Sequence, residues 1–207
     1  MKSYAKNKGN TLLPHLRIAY SPSYDMFVRD LEGKRYVWNA TTLKNNRNYA
    51  KMLQRRWNKI EKKVMKALSE VSGLKWQEAV ISCYILEGIR SFSNPMTMRF
   101  PKTWKYEKYD MLHELVHLLD IQNPNAIDVK KLRMQFGGEL VSVVNHIAIH
   151  AIIKLVFLRL FGTAETYDYI KRMSEKRGEG RSWQIVENYG AERIIADFIT
   201  PCSGMTR

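Results

Sequence analysis

"KYDMLHELVHLLDI", residues 108–121, decides how the rest of the chain is read. Between Asp110 and Asp120, Met111, Leu112, Leu115, Val116, Leu118 and Leu119 crowd nearly every side of this helix, leaving only the two aspartates and the trio His113, Glu114 and His117. A helix that apolar belongs in a core. Burying two imidazoles and a carboxylate there is costly unless something pairs with them. Positions i and i+4 share one face of a helix a turn apart, so His113 and His117 aim two imidazoles at one point. Glu114 stands about 100° around the axis, beside that point rather than on it.

A metal ion satisfies such a set. Zinc takes imidazole nitrogens, serves as an electrophile and lowers the pKa of water to about 7, while a neighbouring carboxylate accepts the proton. The bland reading is coincidence in a packing helix. With 5 histidines in 207 residues, chance yields this pattern of His, Glu and His in fewer than about one such chain in fifty.

A catalytic zinc needs a third protein ligand. The arrangement HExxHxxGxxH is absent, because LLDIQN follows His117. A long helix predicted from the Gly137-Gly138 break to about Phe161 is the better source. Glu139, His146 and His150 are spaced by seven and four and so fall in one narrow stripe of it. Glu139 leads as third ligand, His146 is its rival, and His150 and Glu187 are further candidates. With Glu139 on the metal, His146 or His150 becomes a donor to the oxyanion of a hydrolytic reaction, with Tyr167, Tyr169 and Tyr189 as further candidate donors by type. Asp120 lies on the His113/His117 stripe, either orienting a ligand imidazole or simply solvated.

HELVH followed by a helical glutamate some twenty residues later resembles the gluzincin group of zinc metallopeptidases, its compact members in particular. The resemblance spans roughly residues 80 to 150. It implies an α+β, zincin-like fold with a small mixed sheet packed on the HExxH helix and a long glutamate-bearing helix. It implies zinc held by His113, His117 and Glu139, with Glu114 as general base; the oxyanion-donor reading given above then makes His146 a second catalytic group. It also implies that "RSFSNPMTMRF" (90–100) is the edge strand that aligns an extended peptide substrate. One departure stands out: larger relatives often carry an acidic residue four positions after the ligand glutamate, where this chain has Val143.

The net charge of +14 is uneven. Residues 1–75 hold 17 Lys/Arg against 5 Asp/Glu, a balance of +12, and residues 76–207 hold 17 against 15. Two regions are therefore drawn: a basic β-hairpin plus amphipathic helix over 1–75, and the metallopeptidase domain over 76–207. "LRIAY" and "MFVRDLEGKRYVWN" read as strands, the second turning at Glu32-Gly33. From Lys44 to about Ser72 a helix carries an apolar stripe and, opposite it, a basic stripe of Lys44, Arg47, Lys51, Arg55, Lys62 and Lys66. Such a stripe suits nucleic acid, or else only a solvated face. Trp38, Trp57 and Trp76 read as core.

Two cysteines, Cys83 and Cys202, build no disulfide framework and suggest a reducing, cytoplasmic setting. Cys202 near the terminus is either unremarkable or, as a thiolate, a ligand holding the enzyme latent. "LVSVVNHIAIHAIIKLVFLRLF" (140–161) has the length of a bilayer span, but Asn145, His146, His150, Lys154 and Arg159 interrupt it, so it reads as a buried helix. The leading function is zinc-dependent peptide hydrolysis. The alternatives are a DNA-associated protease resembling SprT-like enzymes, against which the lack of a zinc ribbon counts, and a non-catalytic basic nucleic-acid-binding protein with a structural or vestigial metal site.

Overall fold

The alternating run His15–Ala19 forms β1, burying Leu16 and Ile18 and exposing the residues between. A computed structural model describes residues 13–34, 39–87, 91–99, 104–175 and 179–202, the side chains of 104 and 105 excepted. Among these, eight helices surround a four-stranded mixed sheet, so the chain is α+β. The strands are ordered β1-β2-β4-β3, with β2 (Val80–Leu86) parallel to both β1 and β4 (Met96–Arg99). The two-residue β3 (Phe92–Ser93) turns back antiparallel to β4 at Asn94-Pro95 and makes one edge of the sheet.

The opposite edge is closed by side chains. Gln54 accepts from Ile18 N–H (2.6 Å) and donates to Leu16 C=O (2.9 Å), and Glu61 accepts from Leu16 N–H (2.7 Å). These contacts occupy the β1 backbone groups that an added strand would need.

Where a hairpin is expected at Glu32-Gly33, the chain forms helix α1 (Pro22–Leu31), and Glu32-Gly33 is its end. The cause is local: Ser21 caps the helix by accepting from Tyr24 N–H, Pro22 opens it, and Asp25 sits in its first turn. A good cap outweighs the strand preference of Phe27 and Val28. Residues 35–38, the rest of the expected hairpin, lie outside the described residues, Trp38 among them.

The helix expected over 44–72 is two helices, α2 (Ala40–Trp57) and α3 (Glu61–Ser72), broken at 58–60. Trp57, Ile60 and Val64 keep helical spacing across the break, so periodicity does not reveal it. Trp57 and Trp76 are buried as expected. Gly73 ends α3 with φ of 72°, a conformation that favours glycine.

α4 (Trp104–Ile121) carries HELVH against β3 and β4, and α5 (Val129–Gln135) follows. Its first turn is tied to α2 through buried Glu107, which accepts from Tyr49 Oη and pairs with Arg56 at 3.7 Å. α6 (Val141–Ser174) is the central helix, packed by α3, α4, α7 (Gly180–Tyr189) and α8 (Ala191–Phe198). It kinks at Gly162 (φ 79°, ψ 177°), just past the expected end near Phe161, and continues to Ser174 in a new direction. The apolar stretch of α6 is long enough to cross a membrane, and 61% of it is buried in the protein.

The expected boundary at 75/76 falls between α3 and β2, and the sheet crosses it through the β1–β2 pair. Asn123, just beyond α4, fastens this crossing. Its amide donates to Lys75 C=O (2.9 Å) and Leu119 C=O (2.7 Å), and its carbonyl accepts from Lys75 N–H (3.2 Å) and Cys202 Sγ (3.1 Å). Asn123→Ala should destabilise the protein by about 2–4 kcal/mol, read as a lowered urea midpoint, with metal uptake by the folded protein unchanged. A midpoint unchanged from the native chain would deny Asn123 this role.

Candidate metal centre

Four of the chain's five histidines converge where α4 faces α6. Two groups of ligand atoms form, each with every atom within 4.8 Å of the others. The first is His113, His117 and His146; the second is His113, His150 and Glu179. His113 belongs to both.

In the first group the α4 pair already stands at ligating separation. His117 Nε2 lies 3.1 Å from His113 Nε2. Two nitrogens bound at 2.0–2.1 Å to one tetrahedral ion stand about 3.3 Å apart, so the two rings need almost no movement. His146 Nδ1 faces Ser142 C=O at 2.7 Å. A carbonyl only accepts, so Nδ1 carries the proton and Nε2 is left with its lone pair, as ligation requires. Burial, followed by the charges His146 and His150 would carry, pulls His117 down to about 4 against a weaker opposing effect of Glu179. Its imidazole is therefore neutral at pH 7 and able to bind a cation.

The second group sits deeper. His150 is fully buried, stacked on Trp183 at 4.2 Å between centroids, with Nδ1 2.9 Å from Ser182 Oγ and Nε2 3.2 Å from Glu179 Oε2. Ser182 Oγ also donates to Glu179 C=O. Burial lowers His150 to about 4, with the Glu179 carboxylate working against the shift and His146 adding to it.

Glu114 is buried, and its Oε2 accepts from Ser93 Oγ of β3 at 2.7 Å. The edge strand and the HExxH helix therefore meet at the carboxylate next to the histidines. Its charge also helps burial push the Cys83 thiol upward, which keeps that buried cysteine protonated and inert.

Glu139 lies outside both groups. Its carboxylate accepts from Arg181 Nε (2.9 Å) and Nη2 (2.5 Å), and those bonds hold it below the usual carboxylate range. The reason is visible in the backbone: α6 begins at Val141, so Glu139 precedes the helix, and a stripe drawn at 100° per residue does not extend to it. Glu187 pairs with Lys154 at 2.8 Å, Tyr189 donates to Asp197, Tyr167 is exposed, and Tyr169 is buried among Tyr109, Phe157 and Trp183. Asp120 borders a separate cavity of about 450 Å³ with Asp128 and Thr200. Cys202 Sγ is engaged by Asn123 and joins neither group.

Nothing in the sequence marks Glu179, Ser182 or Trp183, and Ser93 stands out there only as part of the expected edge strand. Glu179 sits in "EKRGEGRSW" (175–183), whose residues carry no periodic relation to HELVH. Only the return of the chain onto α6 brings it to His150.

Compared with known proteins, the chain matches no family model, no curated protein and no solved structure.

Proposed function

We propose that the chain is a zinc-dependent hydrolase of peptide bonds, with His113, His117 and His146 as the metal ligands and Glu114 as general base. The observation that carries the reading is the pre-set triad: two Nε2 atoms 3.1 Å apart on α4, joined by a His146 whose other nitrogen is tied to a carbonyl. An all-nitrogen set of three suits zinc and leaves a position open. The third ligand is thus assigned to His146, in place of Glu139, and the kinship with gluzincins is correspondingly looser.

Zinc held there supplies a Lewis acid and a nucleophilic water near neutral pH. The rest falls to the chain. Glu114, one residue from a ligand and oriented by Ser93, takes the proton of the attacking water and delivers it to the leaving amine. The β1 edge is occupied by Gln54 and Glu61, which leaves β3, beside Glu114, as the edge for an extended peptide. His150, held between Ser182 and Glu179, backs the ligand cluster and keeps its rings in place.

The test is metal content and peptide hydrolysis on the same preparation. Purified protein should carry about one zinc per chain, lose it with its peptidase activity to a chelator, and regain both when zinc is returned. A chain that takes up no zinc when offered it would overturn the proposal.

A further inference from the structure

We propose that the outer face of α2 is a docking surface for double-stranded DNA, which it grips through the phosphates without reading sequence. This does not rest on the metal centre. From Gly33 to Ile60 the chain has no Asp or Glu at all. Within that stretch α2 turns Lys44, Arg47, Lys51 and Arg55 to solvent, all four exposed and none ion-paired or hydrogen-bonded through its side chain among the described residues. At 100° per residue they fall within an arc of about 80°, and they extend over about 16 Å of helix. One positive charge for each 4.5–6 Å of rise, all of one sign, is a row suited to a regular line of phosphates, which recur at about 3.4 Å along each DNA strand. Lys59, also exposed, follows just beyond the helix end, and exposed Thr41, Asn45 and Asn48 on α2 can donate to phosphate or sugar oxygens.

What the surface lacks narrows the partner. Among the described residues, no large apolar side chain on α2 is exposed; Leu53 and Trp57 are buried, and Leu43 and Tyr49 are packed against the core. A membrane-surface helix needs an apolar face beside its cations. A protein partner needs an apolar or aromatic anchor at the centre of the contact. Single strands call for exposed aromatic rings on which bases stack. A cationic ridge along a helix fits the outside of a B-form duplex, whose major groove admits a helix where the narrow one of duplex RNA does not.

Fluorescence anisotropy with the full-length chain and a labelled DNA duplex of mixed sequence tests this. Four phosphate contacts give a slope near −3.6 in log affinity against log salt, an affinity loss of about 150-fold from 50 to 200 mM. The variant Lys44→Ala/Arg47→Ala/Lys51→Ala/Arg55→Ala should lose most of that slope and bind at least about tenfold more weakly at the lower salt. A second variant, Lys130→Ala/Arg133→Ala/Lys171→Ala/Arg193→Ala, removes the same charge elsewhere and should stay within about threefold of the native affinity. Circular dichroism checks that both remain folded. Equal losses in the two variants would reduce the binding to general net charge and overturn the proposal. So would a native slope in the α2 variant, or tighter α2-dependent binding to duplex RNA, single strands or anionic lipid vesicles than to duplex DNA.

Discussion

His146→Ala should strip the chain of its metal, whereas Glu139→Ala should leave it bound. The two residues are separated by only seven positions, yet they occupy different environments. His146 shares a 4.8 Å cluster with His113 and His117, while Glu139 is held by Arg181 at the mouth of α6. Losing a partner that merely supports a ligand costs about 10- to 100-fold in metal affinity. Losing one ligand of three should cost more, so zinc should no longer survive gel filtration at micromolar protein. Glu139→Ala removes only an outlying ion pair, and its zinc affinity should stay within about threefold of native. Competition against a chromophoric chelator measures both. Zinc lost in Glu139→Ala and retained in His146→Ala would restore the glutamate as ligand and return the chain to the gluzincin pattern.

Glu114→Gln should retain zinc and lose hydrolysis by about 10²–10⁴-fold. The substitution keeps shape, and the amide oxygen still accepts from Ser93 Oγ, so β3 and α4 remain joined. What disappears is the carboxylate's ability to take a proton. Measuring zinc content and peptide cleavage on the same sample separates this from misfolding. A zinc-loaded Glu114→Gln protein that cleaves at the native rate would remove Glu114 from the chemistry, and a zinc-loaded native protein that cleaves nothing would favour a structural metal site.

Both outcomes turn on how far the sequence carries the site. The i, i+4 pairing of His113 and His117 is a local property of any helix, and α4 forms over the expected residues with both rings on one side. His146 and His150 were legible as candidates because they, too, are four apart on a predicted helix. Choosing among Glu139, His146 and His150 was not legible. That choice depends on where α6 starts, and helix ends are set by caps and turns rather than by period. Likewise the hairpin expected at Glu32-Gly33 gave way to the Ser21-capped α1.

From the sequence alone came the metal-capable pair on α4, the carboxylate beside it, the buried character of α6, and the concentration of positive charge in the first third of the chain. Each follows from spacing or composition within one element. Tertiary structure alone decided that His146 joins His113 and His117 in one cluster, that Ser93 reaches Glu114, and that Glu179 returns to His150 across 29 residues of chain. It also decided that the basic stripe on α2 faces outward and that, among the described residues, α2 exposes no large apolar side chain. These are contacts between elements, fixed by how α4, α6 and α7 pack and by which sheet edge is left open, and no periodicity within a segment encodes them.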